Sequence, residues 1–434
     1  MQTNQEAKSA LERSVEMSVN IADVEKEVAA RLKRMARTLK MPGFRPGKVP
    51  MKIVEQMHGA QAHSEAIGAA VEQAFMALVR EQNLRVAGYP KIEPKDGAAE
   101  GTLAFTAVFE VYPEVVLGDL SGHKIERPVL TVGEAEVDKT IEVLRKQRTT
   151  FTAADRAAAD GDRVVIDFAG RKDGELFEGG SGQDFAFVIG AGTMLKDFES
   201  AVLGLQAGEA KTFDMTFPAD YHASHLAGQP VQFDVTVKAV EAAVLPEVDG
   251  DFAKALGVVD GDVAKLREEV KTNLDREVKR RIQAKVKEQA MEALLATTPI
   301  EVPKALVQSE AEQLADNARR DFETRGLKTK DIPVEASWFT AQAERRVKLG
   351  LIMAELVKTN DLKARPEQLH ALIEEMAQSY EDPAELVRWY YSQPDRMTQA
   401  QGVVIEDNVV AWVCEKADTS DEAVGFDELM GNAA

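Results

Sequence analysis

The segment Met41–Pro50, MPGFRPGKVP, constrains the fold of this chain more than any other ten residues. It contains two glycines and three prolines. Proline lacks a backbone N–H and fixes φ, and glycine favours neither helix nor strand, so both regular structures are excluded here. Helical patterns flank the segment on both sides. It is therefore predicted to form the rigid tip of a helical hairpin.

The charge balance reverses around this tip. Between positions 31 and 52 the chain has eight basic residues and no acidic one, although its net charge is −20. The eight are Arg31, Lys33, Arg34, Arg37, Lys40, Arg45, Lys48 and Lys52. Such a reversal predicts a surface that binds a polyanion, and the alternative is a solvated helix face beside a stiff turn. Phe44 favours partner contact, because a phenylalanine at the apex of such a loop has no neighbouring element to bury it.

The tip carries a recognisable motif. Gly43-Phe44-Arg45-x-Gly47-Lys48-x-Pro50 resembles the ribosome-docking signature of the trigger factor family of bacterial chaperones. The resemblance implies that Gly43, Phe44, Arg45, Gly47 and Lys48 contact the large ribosomal subunit at the tunnel exit, through ribosomal protein and rRNA. Pro46 stands where the family often has a basic residue.

The bulk composition is that of a soluble globular protein. The 434 residues suffice for two to four domains, with 44% hydrophobic and 29% charged residues. The single cysteine, Cys414, excludes an intramolecular disulfide and fits a reducing compartment, and its helical, apolar context predicts burial. Neither a signal peptide nor a membrane-spanning run is recognisable. We therefore expect a cytoplasmic protein with neither membrane nor DNA among its partners.

Residues 1–112 are predicted to form a small α+β domain. Apolar and polar residues alternate over 11–19 and 102–111, which is typical of half-buried strands. Two helical patterns lie between them, one on each side of the tip, and Gly88-Tyr89-Pro90 is expected to end the second helix.

The rest of the chain divides into three parts. Residues 113–149 are predicted to be a connector with a helix that begins at a Thr131–Glu134 capping box. Residues 150–245 contain short strands, glycine turns and one short helix around 194–203. Residues 246–434 are predicted to be helical, with a terminal acidic run from Asp418 that frays.

The first long helix of the last part has an unusual apolar stripe. Its apolar residues recur at every fourth position, as Val270, Leu274, Val278, Ile282, Val286, Ala290 and Leu294. Because four residues turn 400° on an α-helix, this stripe winds around the rod by about 40° per step. The helix is therefore expected to contact different partners along its length.

Aromatic residues are concentrated between positions 160 and 240, which hold eight of the 17 phenylalanines. Phe187 and Phe213 are predicted to fill the core of a small β domain. The remaining aromatic residues are more than such a core needs, and they predict a shallow aromatic basin. They are Phe168, Phe177, Phe185, Phe198, Phe217, Tyr221 and Phe233.

This region resembles the FKBP-type peptidyl-prolyl isomerases. The matching stretches are VVIDFxG at 164–170, DGxxFE at 173–178, FxFxIG at 185–190, MLxxFE at 194–199 and PADY at 218–221. The resemblance implies that Phe198 is the floor beneath the substrate proline and that Phe168, Phe185, Phe217 and Phe233 are walls. Phe177 belongs to the same set of site residues. It also implies that Met194 and Leu195 line the rim, with the Leu195 N–H directed at the substrate carbonyl, and that Glu178 and Tyr221 lie at the polar edge.

Other chemistry is not indicated. The sequence contains no P-loop, GxGxxG or GxSxG motif, so no cofactor is predicted. His222 and His225 have metal-ligand spacing on a helix, but they are interpreted as a surface pair, and no metal is predicted.

The complete order of parts resembles the trigger factor family. The fold class expected is α+β multidomain: an α+β docking domain, an FKBP-like antiparallel sheet domain with a short helix, and a discontinuous all-α body with arms. Residues 113–149 and 246–434 are predicted to form that body, with 150–245 extruded from it. The resemblance implies binding to ribosomes and to nascent or unfolded polypeptides, which adaptable Met and Leu side chains of the later helices would contact. A homodimer is possible when the protein is free of the ribosome.

Two alternatives remain open at this stage. One is a stand-alone FKBP-type isomerase that its flanking domains recruit to partners. The other is an RNA-binding protein that uses the 31–52 patch, although Phe44 is its only aromatic residue for base stacking.

Overall fold

The computed structural model describes residues 10–39, 42, 44, 49–97, 99–221, 223, 226–326, 333–378, 380 and 382–431. The elements in chain order are β1 (Glu12–Asn20), α1 (Ile21–Thr38), α2 (Met51–Glu81), β2 (Val86–Lys95), β3 (Thr102–Val111), β4 (Lys124–Val129), α3 (Glu134–Gln147), β5 (Thr150–Ala153), β6 (Arg163–Lys172), β7 (Glu175–Val188), α4 (Lys196–Val202), β8 (Ala210–Thr216), β9 (Pro230–Val244), α5 (Gly250–Ala255), α6 (Val263–Thr297), α7 (Lys304–Thr324), a 3₁₀ helix (Ala336–Phe339), α8 (Thr340–Asn360), α9 (Pro366–Ala377), α10 (Pro383–Ser392), α11 (Pro394–Lys416), β10 (Asp418–Ala423) and α12 (Phe426–Met430).

These elements belong to two compact units. The first comprises Met1–Pro128 and Gln283–Glu422, and the second comprises Val129–Ile282 and Ala423–Ala434. An α+β part, an antiparallel-sheet part and a helical part are all present, so the predicted fold class is confirmed.

The α+β part of the first unit is built on a three-stranded antiparallel sheet in the order β1-β3-β2. The alternating apolar residues of β1 and β3 face a core in which Phe75 of α2 packs edge-on against Phe109, with ring centroids 5.2 Å apart. The Asn20 side chain begins α1 by accepting a hydrogen bond from the Ala22 N–H at 2.9 Å. A separate apolar cluster joins α1 to α2 near the tip of the hairpin.

The expectation for Gly88-Tyr89-Pro90 is wrong. Helix α2 ends earlier, at Glu81, and Asn83 follows with a left-handed φ of 52°. The Gly-Tyr-Pro triplet lies inside β2, where the pairing with β3 shifts register between Ala87 and Lys91. Because β2 is an edge strand with a bulge, it tolerates a proline that a central strand would exclude.

The helix α7 of the same unit begins against this sheet. Its Ala305 N–H donates a hydrogen bond of 3.1 Å to the Glu110 carboxylate of β3. Gly88, with a φ of +83°, lies so close to Ala305 that a Cβ added at position 88 would be 2.5 Å from the Ala305 Cβ. A glycine is therefore required at this contact for two independent reasons.

The second unit contains two separate cores. One belongs to the antiparallel sheet β5-β9-β6-β7, in which β8 also pairs with β9, and α4 packs on this sheet. The other core joins α3 to α5, the first half of α6 and α12. The strands and the short helix predicted for residues 160–240 are confirmed.

The winding stripe of α6 is also confirmed. Val270, Leu274 and Val278 are buried in the core shared with α3, whereas Ala290 and Leu294, further along the helix, are buried in the first unit. One helix thus contributes to two different cores, as its four-residue repeat predicts.

Three local expectations are corrected. Helix α3 begins at Glu134 with Gly133 as N-cap, and Glu136 accepts the Gly133 N–H at 2.8 Å, so the Thr131 capping box is wrong. The acidic tail does not fray as far as position 431, because β10 pairs with β4 and Leu429 is buried. Cys414 is half-buried and not fully buried.

Candidate functional site

The centre of the candidate site is the ring of Phe198, which α4 presents to the sheet. The ring is 1% exposed and meets four other rings edge-on. The centroid distances are 5.3 Å to Phe233, 5.5 Å to Phe213, 5.9 Å to Phe168 and 6.1 Å to Phe187. Because these partners come from β6, β7, β8 and β9, the Phe198 ring is held from several directions.

Further rings extend from this centre toward solvent. Phe185 packs edge-on against Phe168 at 5.7 Å and is 37% exposed. Phe177 bridges Phe233 and Phe217 at 6.0 and 6.2 Å. Phe217 in turn lies 4.5 Å from the ring of Tyr221. The structure thus brings all seven aromatic residues of the predicted basin into one connected group.

The expectation that these rings exceed the capacity of the core is correct only in part. Phe198, Phe217 and Phe233 are buried together with Phe187. Phe168, Phe177 and Tyr221 are half-buried, as is Phe213, which was expected in the core. The basin is therefore a partly open apolar surface on top of a buried aromatic layer.

Glycines set the shape of the basin, and the sequence reasoning missed them. A Cβ on Gly170 or Gly180 would be 2.6 to 2.8 Å from atoms of the Phe177 ring. A Cβ on Gly182 would be 2.7 Å from Cε1 of Phe168. Contacts below 3.0 Å are not tolerated, so the two rings lie directly on glycine backbone. The available signal was the Gly179-Gly180-Ser181-Gly182 run beside the aromatic positions.

The rim of the basin is held by a buried carboxylate. Glu199 of α4 accepts hydrogen bonds from the Gly190 N–H at 3.0 Å and the Met194 N–H at 3.4 Å. Leu195 is the N-cap of α4, and its carbonyl accepts the Glu199 N–H at 3.0 Å. The loop that carries Met194 and Leu195 is thereby fixed relative to α4. Glu178 lies on β7, but its side chain is outside the described part of the structure.

The domain has a second buried carboxylate, and this one supports a turn. Asp162, just before β6, is 3% exposed and receives two hydrogen bonds from Arg156 and one from the Ala159 N–H. Burial alone would raise the pKa of Asp162, but the guanidinium and the backbone N–H outweigh it and lower the pKa below its ordinary value. This carboxylate fixes the turn into β6 and does not reach the basin.

The second candidate site is the tip of the α1–α2 hairpin. Phe44 is 39% exposed, whereas Val49 is buried among the residues that join α1 to α2. Val49 is thus anchored in the hairpin, and the Phe44 side chain is partly open to solvent. Gly43, Arg45, Gly47 and Lys48 lie outside the described residues.

The basic patch is smaller than the sequence count suggests. Arg31 forms ion pairs with Glu27 at 3.1 Å and Glu65 at 2.9 Å, and Arg34 also pairs with Glu27 at 3.0 Å. Both acids lie outside the acid-free interval 31–52, so the interval alone did not reveal them. Lys33, Arg37 and Lys52 are exposed, and Lys40 belongs to the undescribed residues.

Two apolar features of the first unit were missed at the sequence level. A groove of about 860 Å³ lies between α7, α8 and the segment before α7, with Ile300, Val302 and Val307 among its lining residues. Trp389 and Tyr391 are exposed on α10, where Arg396 stacks over Trp389 at 4.9 Å. The Trp389-Tyr390-Tyr391 triplet was the available signal.

Other kinds of site are limited. Among the described residues there is no cluster of three or more His, Cys, Asp or Glu side chains arranged to hold a metal ion. His222 and His225 fall outside the described residues. Within the part of the chain that the structure describes, every helix is too short or too polar to cross a membrane.

Comparison with known proteins accounts for all three parts of the chain. Residues 1–144 match the family model for bacterial trigger factor protein, residues 154–238 that for FKBP-type peptidyl-prolyl cis-trans isomerase, and residues 262–415 that for the trigger factor C-terminus. The chain is 74% identical to trigger factor of Aromatoleum aromaticum over 434 residues and 73% identical to that of Azoarcus sp. over 437, with 100% of each chain covered. It is 57% identical to trigger factor of Dechloromonas aromatica over 421 residues, covering 97% of both chains. This chain therefore belongs to the trigger factor family.

Proposed function

We propose that the aromatic basin is the prolyl site, with Phe198 as its floor and Phe168, Phe185, Phe217 and Phe233 as its walls. As a member of its family, the chain is a ribosome-associated chaperone with peptidyl-prolyl isomerase activity. The observation that carries the assignment is the buried Phe198 ring, which is surrounded edge-on by four rings beneath a partly open apolar surface.

The chemistry suits such a surface. Rotation about an X–Pro bond must cross a barrier of roughly 18–20 kcal/mol, which amide resonance sets, and no covalent bond is made or broken. The twisted amide has lost this resonance and is less polar than the planar one, so an apolar environment favours it relative to water. Phe177, Met194, Leu195, Glu178 and Tyr221 are proposed to border the site, with the Leu195 N–H donating to the substrate carbonyl.

Enzyme turnover tests this assignment. Replacing Phe198 by Leu is expected to lower kcat/KM for a prolyl peptide about tenfold or more, because a flexible aliphatic side chain does not reproduce a rigid floor. Phe151→Leu is the matched control, since Phe151 lies on β5 and contacts Arg163 instead of the basin rings. Equal turnover in wild type and the Phe198 variant would refute the assignment.

The tip of the α1–α2 hairpin is proposed to dock on the large ribosomal subunit at the tunnel exit, on ribosomal protein and rRNA. The exposed Phe44 ring and the anchored Val49 support this proposal, since a partner needs a presented group on a stiff support. Gly43, Arg45, Gly47 and Lys48 complete the proposed contact.

Sedimentation with isolated subunits separates this proposal from its alternatives. Replacing Phe44, Arg45 and Lys48 together by Ala is expected to abolish binding to the large subunit. Tyr89→Ala is the control, because Tyr89 is 99% exposed but lies on β2. Unchanged binding would support the isomerase recruited by other surfaces, and equal binding to protein-free rRNA would support the RNA-binding alternative.

Nascent or unfolded polypeptides are proposed to contact the first unit at two places. The groove beside α7 offers apolar surface, and so do Trp389 and Tyr391, which are 42% and 49% exposed. Such adaptable surface fits heterogeneous clients better than one defined ligand. Suppression of aggregation by the Trp389→Ala, Tyr391→Ala double variant, compared with Tyr89→Ala, tests the second place.

The domain boundaries are proposed as 1–112, 113–149, 150–245 and 246–434. The core that joins α3 to α5, α6 and α12 supports a helical body assembled from separate stretches of chain. The separate core of the β5–β9 sheet supports an independent isomerase domain. We further propose a cytoplasmic location and a homodimer in the ribosome-free state, and sedimentation equilibrium of the purified chain tests the dimer.

A further inference from the structure

Three adjacent strands of the isomerase sheet, β9, β6 and the edge strand β7, are irregular at one common level. Ile166 of β6 pairs with Phe185 of β7, but Phe168 pairs with Gly182, so Asp167 faces two residues of β7 where one is normal. On the other side, Val165 pairs with Ala239 and Ile166 with Val237, which leaves Lys238 of β9 as an extra residue. Strand β6 is therefore flanked by two β-bulges.

These bulges decide which residues face the basin. Side chains alternate along a strand, so residues 182 and 185 would point to opposite faces without an interruption. The bulge brings both to one face, where Gly182 lies under the Phe168 ring and Phe185 packs against that ring at 5.7 Å. The position of Phe185 at the open edge of the basin thus depends on the bulge.

A charged network lies at the same level. The Asp167 carboxylate accepts the Asp184 N–H at 2.8 Å, and Asp184 has a left-handed φ of 51°. Lys238 Nζ contacts Asp184 at 2.6 Å and Asp167 at 3.3 Å. One side chain from each of three adjacent strands therefore joins the two bulges, and the left-handed residue immediately precedes Phe185.

The network lies on the face of the sheet opposite the rings. Ile166 of β6 faces the buried core, and by alternation Asp167 faces outward. The side chains of Asp167 and Lys238 are 35% and 41% exposed and that of Asp184 is 72% exposed, which agrees with the solvent-facing side of the sheet. Their influence on the basin must pass through the backbone of the bulge.

We propose that Asp167, Asp184 and Lys238 are positioning residues for the isomerase: they hold the β7 bulge in the one conformation that directs Phe185 into the prolyl site. The inference rests on the proposed assignment of Phe185 to that site. Because the bulge N–H is paired with Asp167, and Asp184 is held by Lys238, a non-glycine residue remains in a left-handed conformation that otherwise costs free energy.

Variants of the full chain test this positioning role. Lys238→Met is expected to lower kcat/KM about threefold, the scale of a partly exposed ion pair, and Lys238→Arg to restore it. Asp167→Ala, which also removes the acceptor of the bulge N–H, is expected to lower kcat/KM about tenfold. Asp167→Asn retains an acceptor oxygen and should match Lys238→Met. Arg163→Met is the control, because it removes an ion pair with Glu241 between β6 and β9 that includes none of the bulge residues.

A double-variant cycle separates positioning from general stability. In a Phe185→Ala background, Lys238→Met is expected to have no further effect on kcat/KM, because the group being positioned is gone. An additional threefold loss in that background would overturn the inference. If Phe185→Ala alone leaves turnover unchanged, the site assignment fails; if it lowers turnover while the Lys238 and Asp167 variants match wild type, only the positioning inference fails.

A salt titration covers the case in which Asp167→Ala does not fold. Raising NaCl from about 0.05 to about 0.5 M screens exposed charges and should lower the turnover of wild type toward that of Lys238→Met. Lys238→Met itself should respond less, whereas Arg163→Met, which keeps the network, should respond like wild type. A wild-type turnover with no greater salt response than Lys238→Met would overturn the proposal.

Discussion

Truncation of Phe198 to Ala tests the packing of the isomerase core most directly. The ring is 1% exposed and contacts four other rings at centroid distances of 5.3 to 6.1 Å. Truncation of a buried phenylalanine costs about 3–5 kcal/mol, and the loss is largest where neighbours cannot collapse into the cavity. Here the neighbouring rings belong to hydrogen-bonded strands, so we expect about 4–5 kcal/mol.

Hydrogen exchange of peptides from β6 and β9 measures this loss locally. The three tryptophans, Trp338, Trp389 and Trp412, all lie outside residues 150–245, so tryptophan fluorescence would not report directly on this domain. A loss of about 4 kcal/mol in stability corresponds to an increase of about a thousandfold in the equilibrium constant for opening of the domain, and therefore in the exchange rate. Phe185→Ala serves as the matched control and should accelerate exchange far less, because that ring is 37% exposed.

If amide exchange in β6 and β9 of the Phe198→Ala variant is less than about tenfold faster than in wild type, the reasoning is refuted, since tenfold corresponds to only about 1.4 kcal/mol. Faster amide exchange in peptides from β6 and β9, but not in peptides from α7, would show that the isomerase domain opens independently. Equal acceleration in both places would mean that the ring supports more than its own domain.

Three further outcomes follow from the structure. The pKa of Asp162 lies below its ordinary value, so the ionised carboxylate stabilises the fold above the unfolded pKa of about 4, and this stabilisation is lost as pH falls through the folded pKa. Asp162→Asn should therefore lower the free energy of unfolding by about 1–3 kcal/mol at pH 7 and by progressively less below about pH 4, as urea titrations can measure. Gly88→Ala should accelerate amide exchange at the start of α7 more than Gly97→Ala, because both glycines have positive φ but only a Cβ at position 88 would contact Ala305, at 2.5 Å. Burial raises the pKa of the Cys414 thiol, so native protein at pH 8 should react with a disulfide reagent more slowly than urea-unfolded protein, and equal rates would contradict the half-buried placement.

The regular elements were predictable because local patterns determined them. The alternation of apolar and polar residues in β1 and β3, and the apolar residue at every fourth position of α6, each indicate the face that is buried. Strand β2 was missed because its Gly88-Tyr89-Pro90 triplet resembles a turn. Only pairing with β3, which no local pattern encodes, makes it an edge strand with a bulge.

The candidate site was predictable in its aromatic members and not in its support. The concentration of phenylalanines and the family motifs together identified the rings that the structure brings together. The glycines beneath Phe168 and Phe177 and the network of Asp167, Asp184 and Lys238 depend on strand register. A shift of one residue in strand pairing moves every side chain to the other face of the sheet. The bulges that set this pairing cannot be recognised from the amino-acid composition.

Charge runs were the least reliable signal, because a run does not reveal its partners. The basic interval predicted that eight cationic side chains were available to bind a polyanion, yet Arg31 forms an ion pair with Glu65 of the other hairpin helix. The acidic tail was expected to fray, yet Asp421 pairs with Arg127 at 2.6 Å and Asp427 with Lys139 at 2.9 Å. Each tail partner lies almost 300 residues earlier in the chain. A surface charge therefore indicates an external partner only after its internal partners are known. For the tip proposed to dock, the stronger observation is the Phe44 side chain, which is 39% exposed.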